Sequence, residues 1–258
     1  MEDHILLRVE DGIATITFNR PQQRNAFTFG MYERLGDLCG ELDADATIRA
    51  IVLTGAGDKA FAAGTDIAAF EPVRTAEDGL AYEARIDRVL AALEGCRVPT
   101  IAAIAGACTG GGAIIAACCD LRIATADFRF GFPIARTLGN CLSISNYARL
   151  YALIGPARTK ELVFTARLMG ADEARALGVV GEVLPDHDAL MARAGELARL
   201  VAGHAPLTLR ATKEALRRIT ASLPPDGADL VGFCYGSQDF REGRSAFLAK
   251  RPPRWRGR

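Results

Sequence analysis

Apolar and polar positions alternate from Ile5 to Arg20 (ILLRVEDGIATITFNR), and Asp11-Gly12 interrupts the run at its middle, which predicts a β-hairpin. Past residue 30 the period lengthens. Leu35, Leu38 and Leu42 recur at helical spacing, so a helix is expected over Met31 to Leu42. RAIVLTG (Arg49 to Gly55) is a short β-branched run closed by glycine, the pattern of a buried strand, and a charged amphipathic helix is expected from about Ala76 to Glu94. VPTIAAIAG (Val98 to Gly106) predicts a second buried strand. It leads into three glycines, 110 to 112, and an uncharged run, Ala113 to Cys119, that fits a helix buried on all sides. LRIAT and FRFGF, between Leu121 and Phe132, predict two further short strands. From Ser143 the pattern turns helical: Ser143 to Ile154 ended by Gly155, Pro156 to Thr165, and Ala171 to Leu177 stopped by Gly178. VVGEVLP supplies one last strand. Everything after Asp186 is expected to be helical apart from the proline-glycine break LPPDGAD (Leu223 to Asp229). This pattern describes an α/β core over residues 1–200 with a helical C-terminal portion, 201–258; the core is written equally well as strand-strand-helix repeats or as β-α alternation.

Half of the 258 residues are hydrophobic, enough for one large domain or a core with a smaller appendage. Lys plus Arg equals Asp plus Glu at 31 each, so no global field points to nucleic acid or to an anionic membrane. The local exception is the basic, proline-broken tail KRPPRWRGR, Lys250 to Arg258. Seven cysteines without CxxC spacing, an odd count and no secretory leader fit reduced thiols in a cytoplasmic protein. No uninterrupted apolar run reaches the roughly 18 residues a membrane span needs. None of the three histidines (His4, His187, His204) neighbours a nucleophile or a metal partner, so neither a Ser-His-Asp nor a metal mechanism is expected.

Three glycines between a strand and a helix leave backbone N–H groups free at a positive dipole end, where an anion binds. The Lys-Ser/Thr of a phosphate loop is absent after Gly110, Gly111 and Gly112, and the GxGxxG dinucleotide pattern is not met. What remains is close helix–strand packing, or a transient anion: the oxygen that develops on a carbonyl as it becomes an enolate. A second stretch, KAFAAGTDI (Lys59 to Ile67), places Gly64 ahead of another helical turn. Two such donors from two loops would make an oxyanion hole.

FAAGTDI and GACTGGGAIIAACCDLRIA resemble the two signature segments of the crotonase (enoyl-CoA hydratase/isomerase) superfamily. The resemblance continues through NRPQQRNAF, GADEARALGVVGEVLP and SQDFREGRSAFLAKRPPRW, in order along essentially the whole chain. It implies a crotonase-like spiral of ββα units with a C-terminal helical trimerisation region, assembled as a homotrimer or a dimer of trimers. It also implies an acyl-CoA substrate, with coenzyme A as part of the substrate and no separate cofactor. By position, the backbone N–H groups of Thr65 and Gly111 would be the oxyanion donors. Gly110 adjoins them, and the CoA adenine would lie against Ala62, Ala63 and Gly64. Arg24 and Lys59 would meet phosphates, and Phe247 and Lys250 would reach a neighbouring subunit's CoA.

One departure stands out. The two glutamates that handle water in the hydratases fall here on Ile114 and Ile134, and an isoleucine transfers no proton. General acid–base help is worth roughly 10²–10⁴-fold per group. Three readings follow. The enzyme could stabilise a thioester enolate and complete a decarboxylation or hydrolysis with other groups. Candidates are Arg136 toward a substrate carboxylate, Asp66, or Cys141, Asn140 and Ser143 in the stretch RTLGNCLS. It could hydrate or isomerise weakly through a repositioned Asp66 or Glu71, the latter in a lid over the acyl site. Or it could bind acyl-CoA, or serve assembly, without turnover.

Overall fold

The computed structural model describes residues 4–222 and 226–258, so Leu223 to Pro225 of the expected break lie outside the described residues. Asp11 and Gly12 both take positive φ (50° and 75°), and the chain turns there to pair β1 (Ile5–Glu10) antiparallel with β2 (Ile13–Phe18). Helix α1 (Phe29–Ala44) is capped by Thr28, whose hydroxyl accepts from the Met31 N–H at 3.2 Å, and it buries Leu35, Leu38 and Leu42.

Three strand-strand-helix units follow: β3 (Ala50–Gly55), β4 (Ala60–Ala62) and α2 (Ala76–Gly95); β5 (Thr100–Ile104), β6 (Ala107–Thr109) and α3 (Gly111–Cys118); β7 (Leu121–Thr125), β8 (Arg129–Gly131) and α4 (Ile134–Thr137). Of the two descriptions the sequence left open, the repeat is the one formed. The first strand of each unit joins a six-stranded sheet and the second joins a four-stranded one. The range α5 (Ile144–Thr165) holds the two helices expected there: the backbone leaves the helical region at Gly155 (φ 72°, ψ 167°), and Pro156 opens the second. After β9 (Met169–Gly170), α6 (Ala171–Ala176) and β10 (Glu182–Leu184), the sheet orders are complete: β1-β2-β3-β5-β7-β10 and β4-β6-β8-β9. β3 and β5 are parallel and buried along their whole length, which is why they read as continuous apolar runs. In the small sheet the strand expected in FRFGF is β8, while β4, β6 and β9 were not announced by any period, because strands of two or three residues have none to show. The single strand expected over Val98 to Gly106 is accordingly β5 plus the turn into β6.

Helix α7 (His187–Ala202) covers the large sheet through Leu190, Ala194 and Ala198, and the expected boundary at residue 200 falls inside it. Helices α8 (Pro206–Ala221), α9 (Ala228–Tyr235) and α10 (Gln238–Leu248) complete the chain. α9 packs on α2, and α10 packs on α4 and α9. The expectation of helix to the end is corrected at residues 250–258. There the tail is extended and returns to the start of α10, where the Arg258 carbonyl accepts from the N–H groups of Gln238 (2.7 Å) and Asp239 (3.1 Å). Prolines 252 and 253 lack the N–H a helix would need there.

Candidate active site

β4 and β6 are parallel neighbours in the small sheet, so both chains leave it at the same end. Gly64 (φ 102°) and Gly110 (φ 53°) turn the two chains past each other, in backbone conformations that disfavour any side chain. The other two glycines of the triplet serve close approach. A Cβ on Gly111 would overlap the Tyr32 hydroxyl, and one on Gly112 would overlap the Ala62 carbonyl. The triplet is therefore both a turn and a packing device, and the two readings of it are not exclusive.

Most neighbouring N–H groups are spent: Ala63 on the Arg24 carbonyl (3.0 Å), Asp66 on Phe27 (2.8 Å) and Gly110 on Gly131 (3.0 Å). Among the described residues, none accepts a hydrogen bond from the N–H of Thr65 or of Gly111. Both residues line one cavity of about 1010 Å³. Beside them the Thr65 hydroxyl shares hydrogen bonds with the hydroxyls of Tyr32 (2.9 Å) and Tyr82 (3.0 Å). Burial pushes both phenols up, so they stay neutral.

The structure gathers Arg24, Ala63, Gly64, Thr65, Asp66, Gly110, Gly111, Ile114, Ile134, Phe247 and Lys250 around this cavity. Ala62 is buried in β4 and does not line it. Three expectations are corrected. Arg136 is exposed on α4 and outside the cavity: two residues along a helix turn a side chain by about 200°, so with Ile134 facing in, Arg136 faces out. Lys59 is 81% exposed and sits 3.6 Å from Asp58, away from the cavity. Phe247 and Lys250 line this chain's own cavity, because α10 folds back over the 3₁₀ turn Ile67–Phe70 and α4.

The other acid–base candidates are engaged elsewhere. Asp66 accepts from Arg20 Nη2 (3.0 Å) and from the Ala68 N–H (3.2 Å), capping the 3₁₀ turn. Glu71 is exposed, and its segment is fastened rather than lid-like: Arg244 Nη1 donates to the carbonyls of Phe70 (2.7 Å), Glu71 (3.1 Å) and Val73 (2.8 Å). The neighbouring Cys234 thiol and burial push the Cys141 thiol well above its ordinary range, which disfavours the thiolate a nucleophile needs. Ser143 caps α5 and donates through its hydroxyl to Asp87 at 3.0 Å. Asn140 lines the cavity with a buried Oδ1 that has no partner among the described residues, while its Nδ2 donates to the Tyr235 hydroxyl at 3.3 Å.

One ionisable group of the cavity was missed from the sequence. Glu83 is buried and lines the cavity. Its Oε1 accepts from the Tyr235 hydroxyl (2.6 Å) and its Oε2 from the Ser143 N–H (3.1 Å). Burial pushes its carboxyl up to about 7, helped by the charge of Asp87 and opposed by those two donors. A signal was there to find. Gly79, Tyr82, Ile86, Val89, Leu90 and Leu93 form the buried stripe of α2, and Glu83 stands inside it. Among the described residues no cluster of three or more His, Cys, Asp or Glu side chains is placed to hold a metal ion, and no helix is long and apolar enough to cross a membrane.

A two-sheet spiral of ββα units whose paired glycine loops border one cavity is the crotonase fold. A crystal structure of an enoyl-CoA hydratase/carnithine racemase from Magnetospirillum magneticum matches it at a TM-score of 0.81 with 37% identity, over 100% of this chain and 97% of that one. An enoyl-CoA hydratase/isomerase from Pseudoalteromonas atlantica T6c matches at 0.84 with 26% identity, over 98% of this chain and 100% of that one. In sequence, the short-chain-enoyl-CoA hydratase of Clostridium acetobutylicum is 34% identical over 254 residues, and the crotonyl-CoA hydratase of Syntrophomonas wolfei is 32% identical over 254 residues; each comparison spans 96% of both chains. Residues 8–258 match the enoyl-CoA hydratase/isomerase family, and the chain belongs to it.

Proposed function

We propose that the protein binds an acyl-CoA thioester with its carbonyl oxygen between the N–H groups of Thr65 and Gly111, and that these donors stabilise the enolate formed next to that carbonyl. The observation that carries this reading is that Thr65 and Gly111, whose N–H groups have no acceptor among the described residues, line one cavity together. Donors fixed before reaction need no reorganisation as the charge develops, and losing one costs about 10²–10³-fold in rate. Arg24, Phe247 and Lys250, which also line the cavity, would meet the CoA moiety, with the adenine along Ala62 to Gly64. Ile114 and Ile134 make the acyl end apolar and take no part in proton transfer. Arg136 lies outside, so a decarboxylation anchored by it loses its support; proton chemistry on an enoyl-CoA, the substrate class in the relatives' names, fits better. We further propose that the chain assembles as a homotrimer or a dimer of trimers.

The test begins with binding. A saturated acyl-CoA carrying ¹³C at the thioester carbonyl should shift its resonance downfield when bound, and Gly111→Pro, which removes one N–H, should abolish the shift in a protein that still melts cooperatively. A panel of enoyl-, β-keto- and malonyl-type thioesters, read by mass spectrometry, then names the reaction by gain of water or loss of carbon dioxide. Tight binding with a shifted carbonyl and no product from any thioester would identify an acyl-CoA-binding protein instead.

A further inference from the structure

An enolate forms or is quenched only if some group moves a proton at the carbon beside the carbonyl, so the inference drawn here rests on the enolate reading above. Among the described residues two carboxylates line the cavity, Asp66 and Glu83. The first is tied to Arg20 and to the Ala68 N–H. We propose that Glu83 is the catalytic acid and base of this enzyme, standing in for the carboxylates absent at Ile114 and Ile134.

Three features of its placement argue for this. Glu83 follows Tyr82 on α2, and the Tyr82 hydroxyl holds the Thr65 hydroxyl beside the oxyanion donors at 3.0 Å, so one helix serves both the hole and the carboxylate. Ile86 and Leu90, one and two turns further on, line the same cavity, so this face of α2 forms a wall of the site. Tyr235 Oη and the Ser143 N–H hold one carboxylate oxygen each (2.6 and 3.1 Å), which fixes its orientation and leaves each oxygen a second lone pair.

The charged neighbours are few. Asp87, one turn on, is itself held by Ser143 Oγ (3.0 Å) and Arg149 of α5 (3.4 Å). Tyr32 of α1, Tyr82, Tyr147 of α5 and Tyr235 of α9 are all pushed up by burial and remain neutral, as does the Cys141 thiol. The resulting value of about 7 populates both forms of Glu83 near neutrality, the condition under which one group can take a proton and return it.

The step balances within the site. The Glu83 carboxylate takes the α-proton as the C–H bond breaks. That electron pair becomes the enolate C=C, and the charge passes to the thioester oxygen between Thr65 and Gly111. The new Glu83 O–H exchanges with solvent and returns a hydrogen to the same carbon.

The measurement is α-deuterium incorporation into butyryl-CoA in D₂O, by mass spectrometry, across pH 5 to 9. The parent protein should exchange with a midpoint near 7, and Glu83→Gln should lose about 10²-fold or more of the rate while binding butyryl-CoA and shifting its carbonyl resonance as the parent does. Tyr235→Phe removes a donor from the ionised form, so exchange persists with its midpoint moved to higher pH, a change that a purely structural role would not produce. Exchange by Glu83→Gln at the parental rate overturns the proposal, as does an unmoved midpoint in Tyr235→Phe; the latter decides alone if Glu83→Gln does not fold. A parent that shifts the carbonyl but exchanges nothing overturns the Glu83 assignment only. A parent that does neither overturns the enolate reading itself.

Discussion

At Glu83 a carboxyl that ionises at about 4.5 in the unfolded chain is held near 7 in the folded one, so the folded state binds its proton more tightly. By linkage, its contribution to stability is fully present below the unfolded value and is lost as pH rises through the folded one. Between pH 5 and 8 the unfolding free energy of the parent should therefore fall relative to that of Glu83→Gln, by on the order of 3 kcal/mol. Urea titrations of both proteins at the two pH values check this; parallel pH dependence would mean the carboxylate is solvated. A second residue-scale expectation concerns Gly111→Ala, whose methyl overlaps the Tyr32 hydroxyl and approaches Thr65 Oγ1 to 3.2 Å. Overpacking of this kind costs about 1–3 kcal/mol. The displaced N–H should weaken turnover by about 10²-fold, visible as a fall in kcat larger than any change in KM.

The helix that presents Tyr82 and Glu83 is secured at its start by a capping box: the Asp78 N–H donates to Thr75 Oγ1 (3.2 Å), and the Thr75 N–H donates back to the Asp78 carboxylate (3.0 Å). Thr75→Ala should lower stability by about 1 kcal/mol in a denaturant titration without moving the pH midpoint of α-exchange. At this scale much of the fold was legible. The hairpin, α1, α2, α3 and the buried strands β3 and β5 each run long enough to show a period or a full apolar run, and Gly155 and Gly178 mark real stops. Of the small sheet, β8 was legible in FRFGF, while β4, β6 and β9 were not, because they are two or three residues each and draw their order from neighbours distant in sequence. The glycine loops stood out as candidate donors, whereas Glu83 showed only as a lone charge inside the apolar stripe of α2. That stripe set Glu83 facing inward, but Arg136 had no such frame, because α4 is a four-residue helix with no period to show which way its side chains turn.

Across the whole molecule, α8 contributes no buried residue and leaves Leu207, Leu216 and Ile219 exposed, an apolar face of the sort that subunits cover. Light scattering should give a mass three or six times 27.5 kDa, and the double substitution Leu216→Arg, Ile219→Arg should lower it. Because Phe247 and Lys250 close the cavity of their own chain, that smaller species should keep acyl-CoA affinity near the parental value, whereas Lys250→Ala should weaken it in the intact assembly, as isothermal titration would show. The hole proposed at Thr65 and Gly111 would be drawn from main chain alone. For a protein engineer such a hole would separate the anchor from the reaction: residues 83, 114 and 134 could be randomised together while the main-chain donors for a thioester stay in place, so a new chemistry could be sought without first rebuilding them.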